Sequence, residues 1–426
     1  MYTLEQLEKI CEKFKPICYL HKKEKYAPIT LEAYLQTVVI RECDKDKTPS
    51  DDDNIVTNNP LVYFNDDDVV PYSADFERKN YYMVPKGYKY KNKFWKELIN
   101  SSKEDQKNIL KGSLNVNDLK NIPYYVEIDD ETNENYIYIS YCFFYGFNGA
   151  ARILYSTIKI EDHFGDVENV SIRIKKPDSY SNSQIEESTI ENLQIDQIYY
   201  AAHGGGELVK DNSYDKDGVR PIVYTGINSH ASYKKSGVYW RIFGYGNDIT
   251  EKGVKWDPTS INIISINKNA KPVGDGRTKS LEENQITTAI PKKNSDLNAY
   301  DRTSAKLNLF NFYKYLGNLG FSGALPTKGN TGSVSVGSFK GQRFPGNTGE
   351  FKEHEPQGIY FNKYIYLIII MSLMTMKFIL NIKFKNTPIK IIIGILLVYL
   401  TSSVKLTLPK VYNILLALIE LYLKFK

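Results

Sequence analysis

Four residues within seven positions, Asp162, His163, Asp166 and Glu168, carry the donor types of a divalent-cation site. Carboxylate oxygens with a single imidazole suit Ca²⁺ or Mg²⁺ better than zinc. From Val167 to Ile174 the chain alternates with period two, so Val170, Ile172 and Ile174 face one way and Ser171 and Arg173 the other. Asp166 and Glu168 share the parity of the apolar set, which takes two carboxylates towards a buried face. That is costly unless they are paired, hydrogen-bonded or bound to a cation. The competing arrangement has the same two carboxylates accepting from loop amides, or pairing with Arg152, Arg173 or Arg241. His163 is expected in the turn ahead of this strand.

A second group of residues has the chemistry of a ligand rim. His203-Gly204-Gly205-Gly206-Glu207 is a tight backbone turn whose glycines permit positive φ and close approach of a ligand or another strand. Ser229-His230-Ala231-Ser232-Tyr233 follows an apolar run and can line the same rim. The candidate ligand-binding residues are therefore His203, Gly204, Gly205, Glu207 and His230; no residue is assigned a catalytic role. A serine hydrolase is the alternative. His-Gly-Gly-Gly has the composition of an oxyanion loop, Gly320-Phe321-Ser322-Gly323-Ala324 is one residue from G-x-S-x-G, and His354 follows. Ser322 nevertheless lacks the strand, elbow and helix that expose such a nucleophile, and no βαβ alternation surrounds it.

The elements that must position these residues are mostly strands. Tyr136 to Tyr145 is the strongest, and Pro221 to Tyr224 and Ile261 to Ile266 are two more. Helical patterns are fewer: Leu4 to Phe14, Ala27 to Val38 and Asp301 to Leu319. The 34 Tyr and 19 Phe favour pleated, half-buried surfaces, although an A/T-rich coding bias produces the same enrichment. Many short strands with turn residues between them predict a mainly β fold: a β-sandwich-like domain with a few peripheral helices.

Composition excludes several classes. A 42% hydrophobic, 25% charged chain of 426 residues has the material for a sizeable core. The net charge of +5 comes from nearly balanced groups, which argues against nucleic acid as a partner. The four cysteines, Cys11, Cys18, Cys43 and Cys142, form no CxxC pair and no disulfide framework. The first residues lack the apolar core of a secretory signal.

Beyond Gly358 the composition changes abruptly. Tyr364 to Met376, Ile391 to Val404 and Val411 to Leu423 are almost wholly apolar. Extended to Tyr364–Ile382 and Ile389–Leu408, the first two approach the ~20 residues a helix needs to cross a bilayer, with Lys390 and Lys405 placed to snorkel. The predicted organisation is a helical segment 1–16, a β-rich domain 17–346, a linker 347–363 and a membrane-anchoring tail 364–426 of one or two transmembrane helices. Integral attachment to a membrane bilayer follows as an expectation, with its orientation open.

Several phrases resemble the vacuolar protein sorting-associated protein 62 family. Ile17-Cys18-Tyr19-Leu20-His21, followed by Glu24, Tyr26 and Pro28, is similar to its opening "YLHP-E-Y-P" strand, with Lys22 in place of the proline. Tyr141 to Gly149 resembles "YWFFYPYNG", and Gly165 to Val170 resembles "GDWEHV" with Val167 and Asn169 substituted. His203 to Glu207 is similar to "HGGGEW", Pro221 to Tyr233 to "PVVYVAxGSHASY", and Trp256-Asp257-Pro258 to its later "WDP". Their order and spacing carry the resemblance over about 17–346 and leave the tail outside it. The stretch around His163 and Asp166 also resembles, more briefly, the cation-holding "GHRHDWE" heptapeptide of necrosis-inducing cytolysins. The family resemblance implies a β-rich recognition or structural module linked to membrane trafficking, with a lipid headgroup, glycan or protein as ligand. The alternative is a hydrolase, metal-dependent or serine-type.

Overall fold

A computed structural model describes residues 2–266, apart from 45–51, 64–78, 89–97, 131–132, 150, 153–158, 161, 178–186, 204, 211–212 and 241–247, and also 359–361. The helix expected at 301–319, the Gly-rich stretch with Ser322 and His354, and the tail at 364–426 lie outside the described residues. Among the described residues no helix is long and apolar enough to cross a membrane.

The first helix, Leu4–Phe14, begins on a capping box in which Thr3 and Gln6 satisfy each other's backbone amides. Leu7, Ile10, Cys11 and Phe14 recur at helical spacing and are buried. The second helix is shorter than its pattern predicts, Leu31–Thr37. Pro28 is extended and bridges Tyr145, and Thr30 caps the helix by accepting from the Ala33 amide, so the turn cannot start at Ala27.

The chain is mainly β. Six strands form one sheet, in the order Gly205–Val209, Ile195–Ala202, His163–Lys175, Tyr136–Asn148, Tyr124–Asp129, Ile261–Ile266. Its centre is two 13-residue strands in unbroken antiparallel register, from Tyr136 opposite Lys175 to Asn148 opposite His163. Ile261–Ile266 joins the edge parallel to Tyr124–Asp129. A second sheet runs Lys216–Asp217, Arg220–Thr225, Ile17–Leu20, Val254–Trp256, with Ser232–Tyr233 added to Arg220–Thr225. Here Ile17–Leu20 lies parallel to Arg220–Thr225, pairing Ile17 with Ile222.

The two sheets share one apolar layer. Cys18, Leu20, Val223 and Trp256 from the second sheet meet Phe143, Tyr145, Val170, Ile172 and Ile198 from the first. The other face of the long strands, with Cys142, Phe144 and Val167, packs on the Leu31–Thr37 helix and on Val38–Asp44 and Lys79–Pro85. Tyrosine serves as core material where its hydroxyl reaches a backbone partner. Tyr124 donates to the Trp256 carbonyl and Tyr141 to the Cys11 carbonyl, both at 2.8 Å, while Tyr125 accepts from the Leu31 amide. The four cysteines are buried and form no disulfide with one another.

Arg220 locks the start of its strand. It donates to the Lys15 carbonyl at 2.7 Å and pairs with Asp257 of the Trp-Asp-Pro segment. In a second compact unit, Val238–Trp240 pairs antiparallel with Ile359–Phe361.

Gly206 has a structural reason. A Cβ there would sit 2.4 Å from Tyr199 Cζ and 2.5 Å from the Tyr200 carbonyl oxygen. The third glycine of the His-Gly-Gly-Gly run thus makes room for a tyrosine ring of the neighbouring strand. Gly206→Ala is expected to cost about 1–3 kcal/mol, the usual penalty for forcing atoms into filled space, measured as a lower denaturation midpoint.

Candidate functional site

Asp166 and Glu168 sit where the parity places them, on the face of Val170, Ile172 and Ile174, at the end of the layer between the two sheets. The strand begins at His163, so that residue is part of it and not of a preceding turn; continuous pairing with Asn148 extends it.

Two hydrogen-bonded hubs occupy this end. In the first, His230 Nδ1 lies 2.8 Å from Asp166 Oδ2, and His230 Nε2 lies 3.7 Å from Glu24 Oε1. At 3.7 Å the Glu24 oxygen is a charge partner and not a hydrogen-bond acceptor. The His230 ring stacks on Tyr145 with centroids 3.8 Å apart and planes within 1°. Glu24 is held by the backbone amides of Asn228 at 2.7 Å, Lys25 at 2.7 Å and Tyr26 at 2.9 Å. Burial alone would push the imidazole pKa down; the Asp166 hydrogen bond and the Glu24 charge overcome it and raise it to about 9. His230 is therefore an imidazolium at neutral pH. Burial works against ionised Glu24 in the same way, and His230 with the amides holds its pKa below the usual range.

The second hub is Asp248. It accepts from His203, from the Ser229 hydroxyl and from the Tyr233 hydroxyl, each at 2.5 Å. Burial opposes its charge, yet the His203 charge and these three bonds bring its pKa down to about 2. Gly226 is required beside it, because a Cβ would lie 2.5 Å from Ser229 Oγ and 3.1 Å from Asp248 Oδ1.

Glu168 lies under the influence of both hubs. Its pKa is raised well above the carboxylate range by burial, then by the charges of Asp166 and Asp248. Its side chain is partly solvent-accessible and has no hydrogen-bond or ion-pair partner among the described residues. His163 Nε2 contacts the Asn148 amide at 3.0 Å and is 3.9 Å from Asp166; burial lowers its pKa against the pull of Asp166.

All three non-glycine residues with positive φ among the described residues belong here: His203 at 56°, Asn228 at 63° and His230 at 57°. Such conformations are tolerated only where the surroundings impose them, and they cluster at functional positions.

The expected residues divide accordingly. Asp162, His163, Asp166 and Glu168 do not converge as a ligand set, and among the described residues no group of three His, Cys, Asp or Glu could hold a metal ion. The physical reason is that Asp166 is already neutralised by His230. Of the expected arginine partners, Arg173 pairs with Asp196, and the Arg152 and Arg241 side chains lie outside the described set. Of the expected ligand-binding residues, His203 and His230 each join a hub. Glu207 pairs with Lys234 at 2.6 Å, Gly205 closes the hairpin opposite Ala202, and Gly204 is outside the described residues. Glu24, Asp248 and Tyr145 were not anticipated as site residues.

Ser229, His203 and Asp248 are the residue types of a hydrolytic triad, but the aspartate sits between the other two. The serine hydroxyl donates to a carboxylate with a pKa of about 2, which is a poor base, and among the described residues no imidazole is positioned to deprotonate it.

No curated protein and no solved structure matches the chain significantly. A family model described as vacuolar protein sorting-associated protein 62 matches residues 31–269, more than half of the chain. The matched span contains Asp166, Glu168, His203, Ser229, His230 and Asp248, with Glu24 just ahead of it. Both the phrase order and this match lead to one assignment: the chain belongs to the vacuolar protein sorting-associated protein 62 family.

Proposed function

We propose that the chain is a sorting-associated recognition module, a sandwich-like β body that binds a ligand at the Glu168, His203 and Asp248 end of its interlayer and is held on a membrane by its apolar tail. The observation that carries the binding reading is Glu168, an unpartnered, solvent-reachable carboxyl in a frame of residues otherwise tied to one another. Three left-handed backbone positions in and beside the two hubs, His203, Asn228 and His230, support the reading, since such positions cluster at functional sites. The tail reading rests on apolar runs of near-spanning length. A lipid headgroup, a glycan or a protein segment are the ligand classes in view.

The test uses the full chain in detergent, screened by thermal shift against headgroups, glycans and peptides. A stabilising ligand is expected, with affinity at least tenfold weaker in Glu168→Gln or His203→Asn. Sedimentation with membranes that survives high salt and yields to detergent is expected of the tail; a chain left in the supernatant removes the tether.

A hydrolase is the second reading, favoured by the opposed shifts of Glu168, raised, and Asp248, lowered to about 2. Turnover of a glycoside, ester or phosphate by the wild type, abolished in Glu168→Gln, would replace recognition with catalysis.

A further inference from the structure

Four carboxyl groups, Glu24, Asp166, Glu168 and Asp248, gather at one end of the layer, and none of them forms an ion pair with a lysine or arginine among the described residues. Their cationic partners are histidines alone, and those reach three of the four. Glu168 is left over. A second observation points the same way. Tyr145 is fully buried and its hydroxyl has no hydrogen-bond partner, yet it lies within the field of Glu24, Asp166 and Glu168. In the strand register Tyr145 stands opposite Asp166 and Phe143 opposite Glu168, so Tyr145 is the diagonal neighbour of Glu168 on the same face. An ionised carboxylate accepts, and the phenol oxygen, diagonal to it in the register, offers an acceptor lone pair as well as its O–H.

We propose that this end of the layer binds the primary ammonium group of a small amine, with Glu168 as its counter-ion and the Tyr145 hydroxyl as a second acceptor. The inference rests on the recognition reading above and names its ligand class. An ammonium donates three hydrogen bonds from one compact charge and accepts none, which complements a pair of acceptors. A Ca²⁺ or Mg²⁺ ion would need six or more oxygens around it, and the described residues do not converge in that way. The groups facing Glu168 are Asp166 on its own strand, Tyr145 on the next, Asp248 with its His203, and the Glu24–His230 pair. The added positive charge offsets the like charge of Asp166 and Asp248. Burial and those charges raise the Glu168 pKa, so a bound cation draws it back down and affinity is expected to rise with pH.

The experiment is isothermal titration of the full chain in detergent with ethanolamine, and with choline, which carries the same charge but no N–H donor. Ethanolamine is expected to bind at least tenfold more tightly than choline, with a heat that depends on buffer ionisation enthalpy. Glu168→Gln is expected to lose at least tenfold in ethanolamine affinity while melting no lower than wild type, because the amide keeps the side chain's shape and no hydrogen-bond or ion-pair partner among the described residues is lost. Nanodiscs rich in phosphatidylethanolamine then separate the two sources of the amine: competition with soluble ethanolamine assigns it to a lipid headgroup, and no competition to a soluble amine. Equal binding of choline, or binding indifferent to Glu168→Gln, overturns the proposal. A neutral glycan whose binding needs His203 but not Glu168 would end it and leave the recognition reading standing.

Discussion

Replacing His230 with asparagine is expected to lower stability by about 3–5 kcal/mol, the cost of removing one partner of a buried ion pair. Asparagine tolerates the positive φ of 57° at this position, so the loss reports chemistry and not backbone strain. Without the imidazolium, Asp166 loses its 2.8 Å partner, and Glu24 keeps its amide bonds but loses the neighbouring positive charge. The pH dependence follows from the directions of the shifts. His230 has a folded pKa of about 9, above its unfolded value, so its contribution is complete below the unfolded pKa of roughly 6.5 and is lost as pH rises through about 9. Glu24 has a depressed folded pKa, so its contribution is present above its unfolded value and is lost as pH falls. Urea midpoints of wild type should therefore decline between about pH 6.5 and 9. The His230→Asn midpoint should be lower and flat across that range; an unchanged alkaline decline would show that another group causes it.

Trp256→Ala is expected to cost about 3–5 kcal/mol, the range for emptying a large aromatic site in a core. The indole is fully buried, packs edge-on against Tyr124 at 4.6 Å and Phe143 at 5.5 Å, and donates from Nε1 to the Ile122 carbonyl at 3.0 Å. Trp256→Phe keeps much of the burial but leaves that carbonyl unpaired, and about 1–2 kcal/mol is expected. Denaturant titration should move the midpoint in both variants with little change in slope.

The elements with strong local patterns are legible without a structure. Ile261–Ile266 is found with the bounds its apolar run implies, and Leu4–Phe14 with those of its helical period. Tyr136–Asn148 and His163–Lys175 extend past their patterns because each continues to pair with the other. The shared face of Asp166, Glu168 and Val170 is legible too, since parity is a local property. The partners are not. Glu24 lies in a turn far from Asp166 in the chain, and only the overlay of one sheet on the other brings His230 between them. Asp248 follows a Gly-Asn run with nothing to distinguish it from a surface turn, until three donors are seen to point at it. The cation expectation meets no converging ligand set among the described residues, where the charge facing Asp166 is that of His230, from elsewhere in the chain.

The pairing of Ile17 with Ile222 has a consequence for biosynthesis. The Ile17–Leu20 strand is synthesised about 200 residues ahead of the Arg220–Thr225 strand beside which it lies. Ile261–Ile266 completes the other sheet later still, beside Tyr124–Asp129. Parallel joins between distant segments close slowly, and unpaired strand edges invite aggregation in the interval. A nascent chain of this kind depends on chaperone shelter for its β edges, and its yield should respond to translation speed and growth temperature more steeply than its equilibrium stability does.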